Sequence, residues 1–302
     1  MATLALLGDV MLGRGVNAAL RGQPPERPWG DTLQLLLRAD LRVCNLECVL
    51  SDRGRPWSSP PKAFHFRSDA KNVEVLGRAR IDAVSLANNH VLDFERDALV
   101  DMLQALDAAG IARAGAGRDA EEACAPAMLE AGGLRIGLLA FTDNEPAWAA
   151  AGARPGVCHV PASPDAAEAR ALIDRVGRLS RETDAVLVSA HWGPNWGETP
   201  PSAHVHLARA MVAAGARVVY GHSPHIFRGI DRIGRSVVLY SAGDYIDDYA
   251  VDVVQRNDWS AVFLLEVDRE GVGAVRAVPT VIREYQARIA RAGEREAIAA
   301  KL

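Results

Sequence analysis

The sequence is poor in the features that mark nucleic-acid-binding and membrane-anchored proteins. The formal net charge is −4, lysine is scarce and no stretch is strongly basic, which disfavours a nucleic acid or an anionic membrane surface as a partner. No apolar run approaches the roughly 20 residues that span a bilayer. We therefore expect no membrane anchor.

Cysteine is also sparse, with four residues and no CxxC spacing. The apolar N-terminus lacks the basic segment of a signal peptide and is interrupted by Asp9, so it predicts a buried first strand and a cytoplasmic protein. Cysteines of cytoplasmic proteins stay reduced. The sequence therefore predicts four free thiols in or near the core, at Cys44, Cys48, Cys124 and Cys158.

The composition is that of an ordinary globular protein, with 49% hydrophobic and 24% charged residues. With no internal repeat and no low-complexity linker, residues 1–302 are expected to form one domain. Short apolar runs alternate with helical patterns, which indicates an α/β fold. The predicted strands are 3–7, 41–46, 82–86, 134–140, 184–190, 217–220 and 236–240, and the predicted helices are 30–39, 95–109, 164–180 and 203–214.

The last third of the chain predicts an antiparallel or mixed sheet followed by a helix, because its apolar runs are joined by turn signals such as IGR and REGVG. Long loops that carry proline or tryptophan are expected over one rim, where loops commonly shape substrate access. The predicted strands are 226–230, 235–240, 260–268 and 273–281, the helix is 283–301, and the loops are 23–29, 54–61 and 147–156.

Polar residues that can bind metals follow six of the predicted strands, each time on the carboxyl side. Sheets of α/β proteins place their ligands at these strand ends, so we expect one common site. Glu47 lies among apolar neighbours, and a buried carboxylate needs a cation or hydrogen-bond donors. The residues are Asp9, Glu47, Asn89, His90, His191, His222, His225 and Asp244.

Several of these positions also have an ordinary structural explanation. A salt bridge to Arg14 or Arg42 would neutralise Glu47. Asp9 would be the N-cap of a following helix. A single histidine at a strand end, such as His191, is often a structural residue. A metal becomes the better explanation once several ligands converge.

The segment SLANNHVLDFE predicts an acid/base pair. Asp93 follows His90 by three residues, close enough to accept a proton from the imidazole and fix its tautomer. An asparagine-pair turn is the structural alternative, and it leaves the histidine and the aspartate unexplained. Further along, Asp244 would orient a histidine or bind the metal, whereas Asp247 and Asp248 are interpreted as solvated charges.

These segments resemble the CapA-type (poly-γ-glutamate capsule biosynthesis) family of the calcineurin-like metallophosphatase superfamily. The motifs GDVMLGR, NLE, SLANNHVLD, AHWG, GHSPH and YSAGD occur in the family's order over about residues 4–250. The resemblance implies a calcineurin-like metallophosphatase fold, with two mixed β-sheets packed as a sandwich and flanked by helices. It also implies an acid/base role for His90 and a metal site formed by Asp9, Glu47, Asn89, His191, His222 and His225.

The sequence departs from the superfamily pattern at the first motif. Met11 stands where a phosphatase has a metal-binding histidine, and Glu47 replaces the usual bridging aspartate. Both differences argue against an ordinary two-metal phosphoesterase. Relative to the CapA pattern, Asn195 replaces a glutamate, Ser223 a histidine and Asp244 an asparagine. The divalent metal is not fixed by this ligand set, which admits Mn, Zn, Fe, Co, Ca or Mg.

Two enzymatic hypotheses follow, and the expected partner is a peptide or poly-γ-glutamate-like substrate. The first is Cα epimerisation of a C-terminal residue of a ribosomal peptide precursor, which needs an acid/base group on each face of the carbon. The alternative is metal-dependent hydrolysis of a phosphoester or a γ-glutamyl amide. A third possibility, which is not enzymatic, is a binding protein that has kept only the fold. The predicted catalytic residues are His90, Asp93, His225 and Asp244, and the predicted substrate contacts are Trp192, Trp196, Asn195 and Arg14.

Overall fold

The computed structural model describes all 302 residues. The strands are β1 (Ala2–Val10), β2 (Leu41–Leu46), β3 (Val49–Leu50), β4 (Arg67–Ser68), β5 (Ala83–Ser85), β6 (Ala112–Ala114), β7 (Ala116–Gly117), β8 (Ala127–Ala131), β9 (Leu134–Thr142), β10 (Gly156–Val157), β11 (Ala185–His191), β12 (Val218–His222), β13 (Ile230–Ile233), β14 (Ser236–Leu239), β15 (Asp244–Ile246), β16 (Trp259–Asp268), β17 (Gly271–Arg283) and β18 (Gln286–Ile289). The α-helices are α1 (Arg14–Leu20), α2 (Leu33–Leu36), α3 (Val73–Arg78), α4 (Glu95–Ala108), α5 (Ala120–Ala123), α6 (Ala167–Glu182), α7 (Ser202–Ala214) and α8 (Ala292–Lys301).

Two mixed sheets form the middle of the molecule. The first has eight strands in the order β18-β17-β16-β1-β2-β5-β6, with β15 also paired to β1. The second has six strands in the order β13-β14-β12-β11-β9-β8. In both sheets the central strands are parallel and antiparallel strands occupy one edge or both. The sequence-based expectation of two mixed sheets flanked by helices is confirmed.

The alternation of side chains along β1 shows how the layers are held together. Leu4 and Leu6 point into a core of 31 buried residues that lies between the two sheets. Ala5 and Leu7 point to the opposite face, into a core of 39 residues shared with α1, α3 and α4. A third core packs α6 and α7 on the outer face of the second sheet. The order of layers is therefore helix, sheet, sheet, helix.

Most predicted elements are present, but three differ from expectation. Residues 226–230 do not form a strand, because Phe227 only bridges to Ala242 and β13 begins at Ile230. The segment predicted as one helix over 283–301 contains β18 and then the shorter α8. The predicted helix 30–39 is broken into a 3-10 turn and α2, since Gly30 has a φ of 48°.

The prediction of four reduced cysteines is wrong for two of them. Cys124 and Cys158 form a disulfide across a sequence separation of 34 residues. Cys44 and Cys48 are free and buried, as expected. The sequence could not reveal the pair, because its partners come together only through the pairing of β7 with β10 beside α5.

None of the helices combines the length and the apolar character required to cross a membrane.

Candidate metal centre and acid/base group

Three parallel-paired strands of the first sheet bring the carboxylates of the site together. Asp9, near the end of β1, lies opposite Asn45 on β2 and opposite Asp244 on β15 in the strand register. Glu47 follows β2 by one residue. These strands are rich in apolar residues, so the polar side chains are carried into a buried edge of the sheet. Asp9 lies within β1, and its interpretation as a helix N-cap is wrong.

Four side chains converge at this edge. Asp9, Glu47, His225 and Asp244 each offer a ligand atom, and these atoms all lie within 4.8 Å of one another. The closest contact joins His225 Nδ1 to Asp244 Oδ1, at 3.0 Å. The second oxygens of Asp9 and Asp244 are buried without a hydrogen-bond partner. We call these four residues the carboxylate cluster.

No arginine or lysine neutralises the carboxylate cluster. Arg42 pairs with Asp82 and Arg14 pairs with Asp248, so the salt bridge considered for Glu47 is absent. The only ion-pair contact of Glu47 is His191 Nε2, at 3.9 Å. Three carboxylates buried together without a cationic side chain are costly, and a bound cation removes that cost.

The electrostatics of the carboxylate cluster agree with this geometry. Burial raises the pKa of Asp9 to about 7, despite the hydrogen bond that it accepts from Asn45. Burial, reinforced by the neighbouring carboxylates, raises the pKa of Glu47 and of Asp244 well above their ordinary values. Burial also lowers the pKa of His225, which favours the neutral imidazole that binds metals.

The donor set of three carboxylates and one imidazole fits a divalent cation. Such mixed oxygen and nitrogen ligands suit Mn, Fe or Zn, and the oxygen-rich part also suits Mg or Ca. Met11 contributes nothing to this set, because it is buried and its sulfur accepts a hydrogen bond from the Gly13 backbone.

The other three predicted ligands lie beside the carboxylate cluster. His191 Nε2 is 3.0 Å from Asn89 Oδ1, and His222 Nδ1 is 3.5 Å from Asp9 Oδ1 with no hydrogen-bond partner. His191 and His222 are register partners at the ends of β11 and β12, in the second sheet. Burial lowers the pKa of both imidazoles. Their role as metal ligands stays a prediction.

The predicted acid/base pair is formed by direct contact. His90 Nδ1 donates to Asp93 Oδ2 over 2.6 Å, and the same oxygen accepts from the Phe66 backbone over 2.7 Å. The Phe66 ring stacks on the imidazole with centroids 3.9 Å apart. Burial lowers the pKa of His90 to about 4, so its imidazole is neutral near pH 7. These contacts orient the imidazole and leave Nε2 to exchange protons.

Lys62 is a site residue that the sequence analysis missed. Its ammonium lies 2.8 Å from the second oxygen of Asp93 and donates to the backbone carbonyl of Asn89. It also lies 4.3 Å from the centre of the Trp148 ring, and only 9% of its side chain is exposed. The one available signal was the scarcity of lysine, since Lys62 follows a proline-rich loop that carries no periodic pattern.

Two more missed residues follow β15. The Tyr249 hydroxyl is 3.4 Å from Glu47 Oε2, and its ring packs 5.0 Å from that of His225. Asp247 is buried, and burial raises its pKa to about 6. Asp248 pairs with Arg14 and accepts from a backbone N–H. The interpretation of both aspartates as solvated charges is wrong.

The predicted substrate contacts separate into one buried residue and three accessible ones. Trp192 is fully buried, stacks on His204 and donates from Nε1 to a backbone carbonyl, so its prediction as a substrate contact is wrong. Trp196 is 44% exposed and lies 5.5 Å from the His225 ring, and Asn195 beside it is exposed. Arg14, 38% exposed, lies near the Phe66 ring.

Comparison with known proteins gives one matching family and several relatives. The family model described as "Bacterial capsule synthesis protein PGA_cap" matches residues 3–249. A "Probable polyglutamine synthesis accessory protein" of Mycobacterium tuberculosis is 34% identical over 82% of this chain and 75% of that protein. The "Capsule biosynthesis protein CapA" of Bacillus anthracis is 26% identical over 93% of this chain and 68% of that protein.

Solved structures share the fold at low sequence identity. A "novel phosphatase" of Mycoplasma pneumoniae is 12% identical with a TM-score of 0.58, covering 93% of each chain. A "Putative 5'-Nucleotidase" of Staphylococcus aureus is 14% identical with a TM-score of 0.54, covering 99% of this chain and 57% of the other. The chain thus has the calcineurin-like metallophosphatase fold that its motifs implied.

Proposed function

Because the chain belongs to the bacterial capsule synthesis protein (PGA_cap) family, we propose that it is a metal-dependent hydrolase that cleaves a γ-glutamyl amide bond. The observation that carries this proposal is a histidine-aspartate pair near a carboxylate cluster that no cationic side chain neutralises. Asn89, next to His90, contacts His191, which lies 3.9 Å from Glu47 of the cluster. The histidine-aspartate pair can move a proton, and the carboxylate cluster can hold a cation. Metal-dependent amide hydrolysis uses both.

The relatives favour hydrolysis over the epimerisation hypothesis. Their names refer to capsule biosynthesis and polyglutamine synthesis, and the fold is shared with phosphatase-like proteins. Epimerisation also lost one of its supports, because the buried Trp192 cannot receive an aromatic side chain of a substrate. A glutamyl amide is therefore the substrate class that we infer.

The carboxylate cluster would hold the divalent cation, with Asn89, His191 and His222 as further candidate ligands. When bound, the cation polarises the carbonyl under attack and stabilises the negative charge that develops on its oxygen. The cluster supplies three carboxylates for this purpose in a buried position, where electrostatic interactions are strong.

His90 would perform the proton transfers. With Nδ1 donating to Asp93, the neutral imidazole presents Nε2 as an acceptor. It takes a proton from the attacking water as the new C–O bond forms, and returns that proton to the departing nitrogen as the C–N bond breaks. Lys62 and the Phe66 backbone hold Asp93 in place, so the imidazole keeps one orientation.

A substrate panel tests this proposal. The purified protein is incubated with γ-linked glutamate oligomers and with phosphoesters, after EDTA treatment and after addition of Mn²⁺, and free glutamate and phosphate are measured. We expect glutamate release that needs the cation and falls by about 100-fold or more in His90→Ala. His206→Ala, an exposed histidine on α7, is the matched control and should retain full activity.

Three results would contradict the proposal. Phosphate release without glutamate release would move the substrate to the phosphoesters. Deuterium uptake at a peptide Cα in deuterated water, without hydrolysis, would restore the epimerase hypothesis. Glutamate release that is equal in His90→Ala would remove the histidine from the mechanism.

A further inference from the structure

A cavity of about 290 Å³ is lined mainly by residues that follow the cluster residue His225 in the sequence. Ile226, which directly follows the cluster residue His225, lines it. Arg228, two residues further, lines it as well, so its Cα is no more than about 11 Å from that of His225. The volume is close to the lower end of the range of small-molecule sites, which begins at about 300 Å³.

Arg228 is an unusual residue for a cavity wall because its charge is unpaired. The residue is only 3% exposed. Its guanidinium forms no ion pair, because no carboxylate oxygen lies within 4 Å of its nitrogens. Its Nε and Nη2 donate to the backbone carbonyls of Gly197 and Trp196, over 2.7 and 3.0 Å. Its Nη1 is buried and has no partner. A buried, unpaired guanidinium is costly unless an anion binds it.

Two further groups of the cavity lack hydrogen-bond partners. The indole Nε1 of Trp259 and the Oε1 of Gln255 are also buried without partners. The remaining cations of the cavity are already neutralised, since Arg256 pairs with Asp258 over 2.7 Å and Lys301 faces Glu198 over 3.6 Å. The unsatisfied groups are thus one charge and one N–H donor that suit an anion, and one amide oxygen, an acceptor, that does not.

We propose that this cavity, through Arg228 and Trp259, binds a carboxylate of an acidic peptide substrate whose scissile bond lies at the carboxylate cluster. The inference rests on the proposed function, because a γ-linked glutamate chain carries one free α-carboxylate per residue. The guanidinium fork matches the planar carboxylate. This local cation also explains how a chain with a net charge of −4 can hold an acidic substrate.

The test measures binding in the His90→Ala background, so that the ligand is not consumed. Calorimetry in the presence of Mn²⁺ compares γ-linked glutamate oligomers with the same oligomers whose α-carboxylates are methyl esters. Adding Arg228→Gln should weaken binding of the free acid by about tenfold or more, as expected for a lost charge-assisted hydrogen bond, and leave the ester unchanged. Arg269→Gln, in the turn that directly follows β16 and 75% exposed, removes the same charge and should change neither.

Trp259→Phe provides a second variant in case Arg228→Gln does not fold. It removes a donor that has no partner within the protein and keeps an aromatic ring, so it should weaken only the free acid, by a few-fold. Equal affinities of all variants for the free acid would overturn the proposal, as would equal weakening of acid and ester. Inorganic phosphate that competes as strongly as the acid oligomer would also overturn it.

Failure of the carboxylate site and failure of the hydrolase can be told apart. Arg228-dependent binding of the free acid without any hydrolysis by the His90-containing protein would support the cavity and contradict the hydrolase. Hydrolysis with a KM that Arg228→Gln leaves unchanged would contradict the cavity and support the hydrolase.

Discussion

Lys62 has the most specific contacts of the residues that the sequence analysis overlooked. In Lys62→Met, Asp93 loses its ammonium partner while the apolar length of the side chain is retained. We expect turnover to fall by about tenfold or more and the free energy of unfolding to fall by about 1–3 kcal/mol, because a buried carboxylate is left with fewer partners. Steady-state kinetics and chemical denaturation measure both changes.

The matched control for Lys62 is Lys71→Met, since Lys71 is exposed and makes no contact with the site. Activity that is unchanged in Lys62→Met would show that the backbone of Phe66 alone suffices to hold Asp93.

Substitution of Asp244 tests the repulsion between the buried carboxylates of the carboxylate cluster. Asp244→Asn keeps an oxygen that can accept from His225 and removes one of three buried negative charges. Because burial and the neighbouring carboxylates raise the pKa of Asp244, we expect the metal-free variant to be more stable than the unsubstituted protein at pH 8, and to bind Mn²⁺ at least tenfold more weakly. Denaturation in EDTA and calorimetric titration check the two effects, and a variant that is less stable without metal would contradict the argument.

At the scale of residues, the sequence indicated which residue types converge on the site but not which role each of them has. Asp9, Glu47 and His225 could be found because each follows or ends an apolar run. Lys62 could not, because it reaches the site from an irregular loop. Trp192 was placed wrongly because a strand end fixes position along the chain, whereas the packing of α7 decides which side of the sheet a ring faces.

At the scale of elements, β1, β2 and β15 bring like charges together, which makes the metal-free protein sensitive to pH. The pKa of Asp9 is raised from 3.8 to about 7 on folding, so the folded state binds more protons than the unfolded state between these values. Stability is therefore greatest at low pH within this window and falls as the pH rises towards 7. A bound cation should abolish this fall.

Thermal unfolding between pH 4.5 and 8, in EDTA and in Mn²⁺, measures this effect. We expect the difference in Tm between the two conditions to widen as the pH rises. A constant difference across the range would mean that the carboxylate cluster is not where the cation binds.

The elements themselves were largely predictable. Apolar runs with short polar breaks located the central strands of both sheets, because buried parallel strands are continuous in hydrophobic residues. The segment 283–301 was misjudged because β18 is a short edge strand that follows a turn with positive φ at Glu284 and Tyr285. This turn contains no glycine that would indicate it in the sequence.

At the scale of the whole molecule, the disulfide between Cys124 and Cys158 lowers the number of free thiols from the expected four to two. Without reductant, thiol titration of the unfolded protein should detect two thiols, from Cys44 and Cys48, and four after reduction. Closing a loop of this length stabilises a protein by about 3–4 kcal/mol, so the Cys124→Ser/Cys158→Ser variant should unfold correspondingly more easily. Four thiols in unreduced protein prepared under oxidising conditions would contradict the pairing.

The two sheets contribute different kinds of ligand to one place. Asp9, Glu47 and Asp244 come from the first sheet, whereas His225 follows β12 of the second. A cation held by all four would therefore be a non-covalent cross-link between the halves of the sandwich, on the rim of the core that they share. Loss of the ion would then weaken the contact between the two sheets and also abolish activity. The concentration of available metal would therefore control both the rigidity and the activity of the protein.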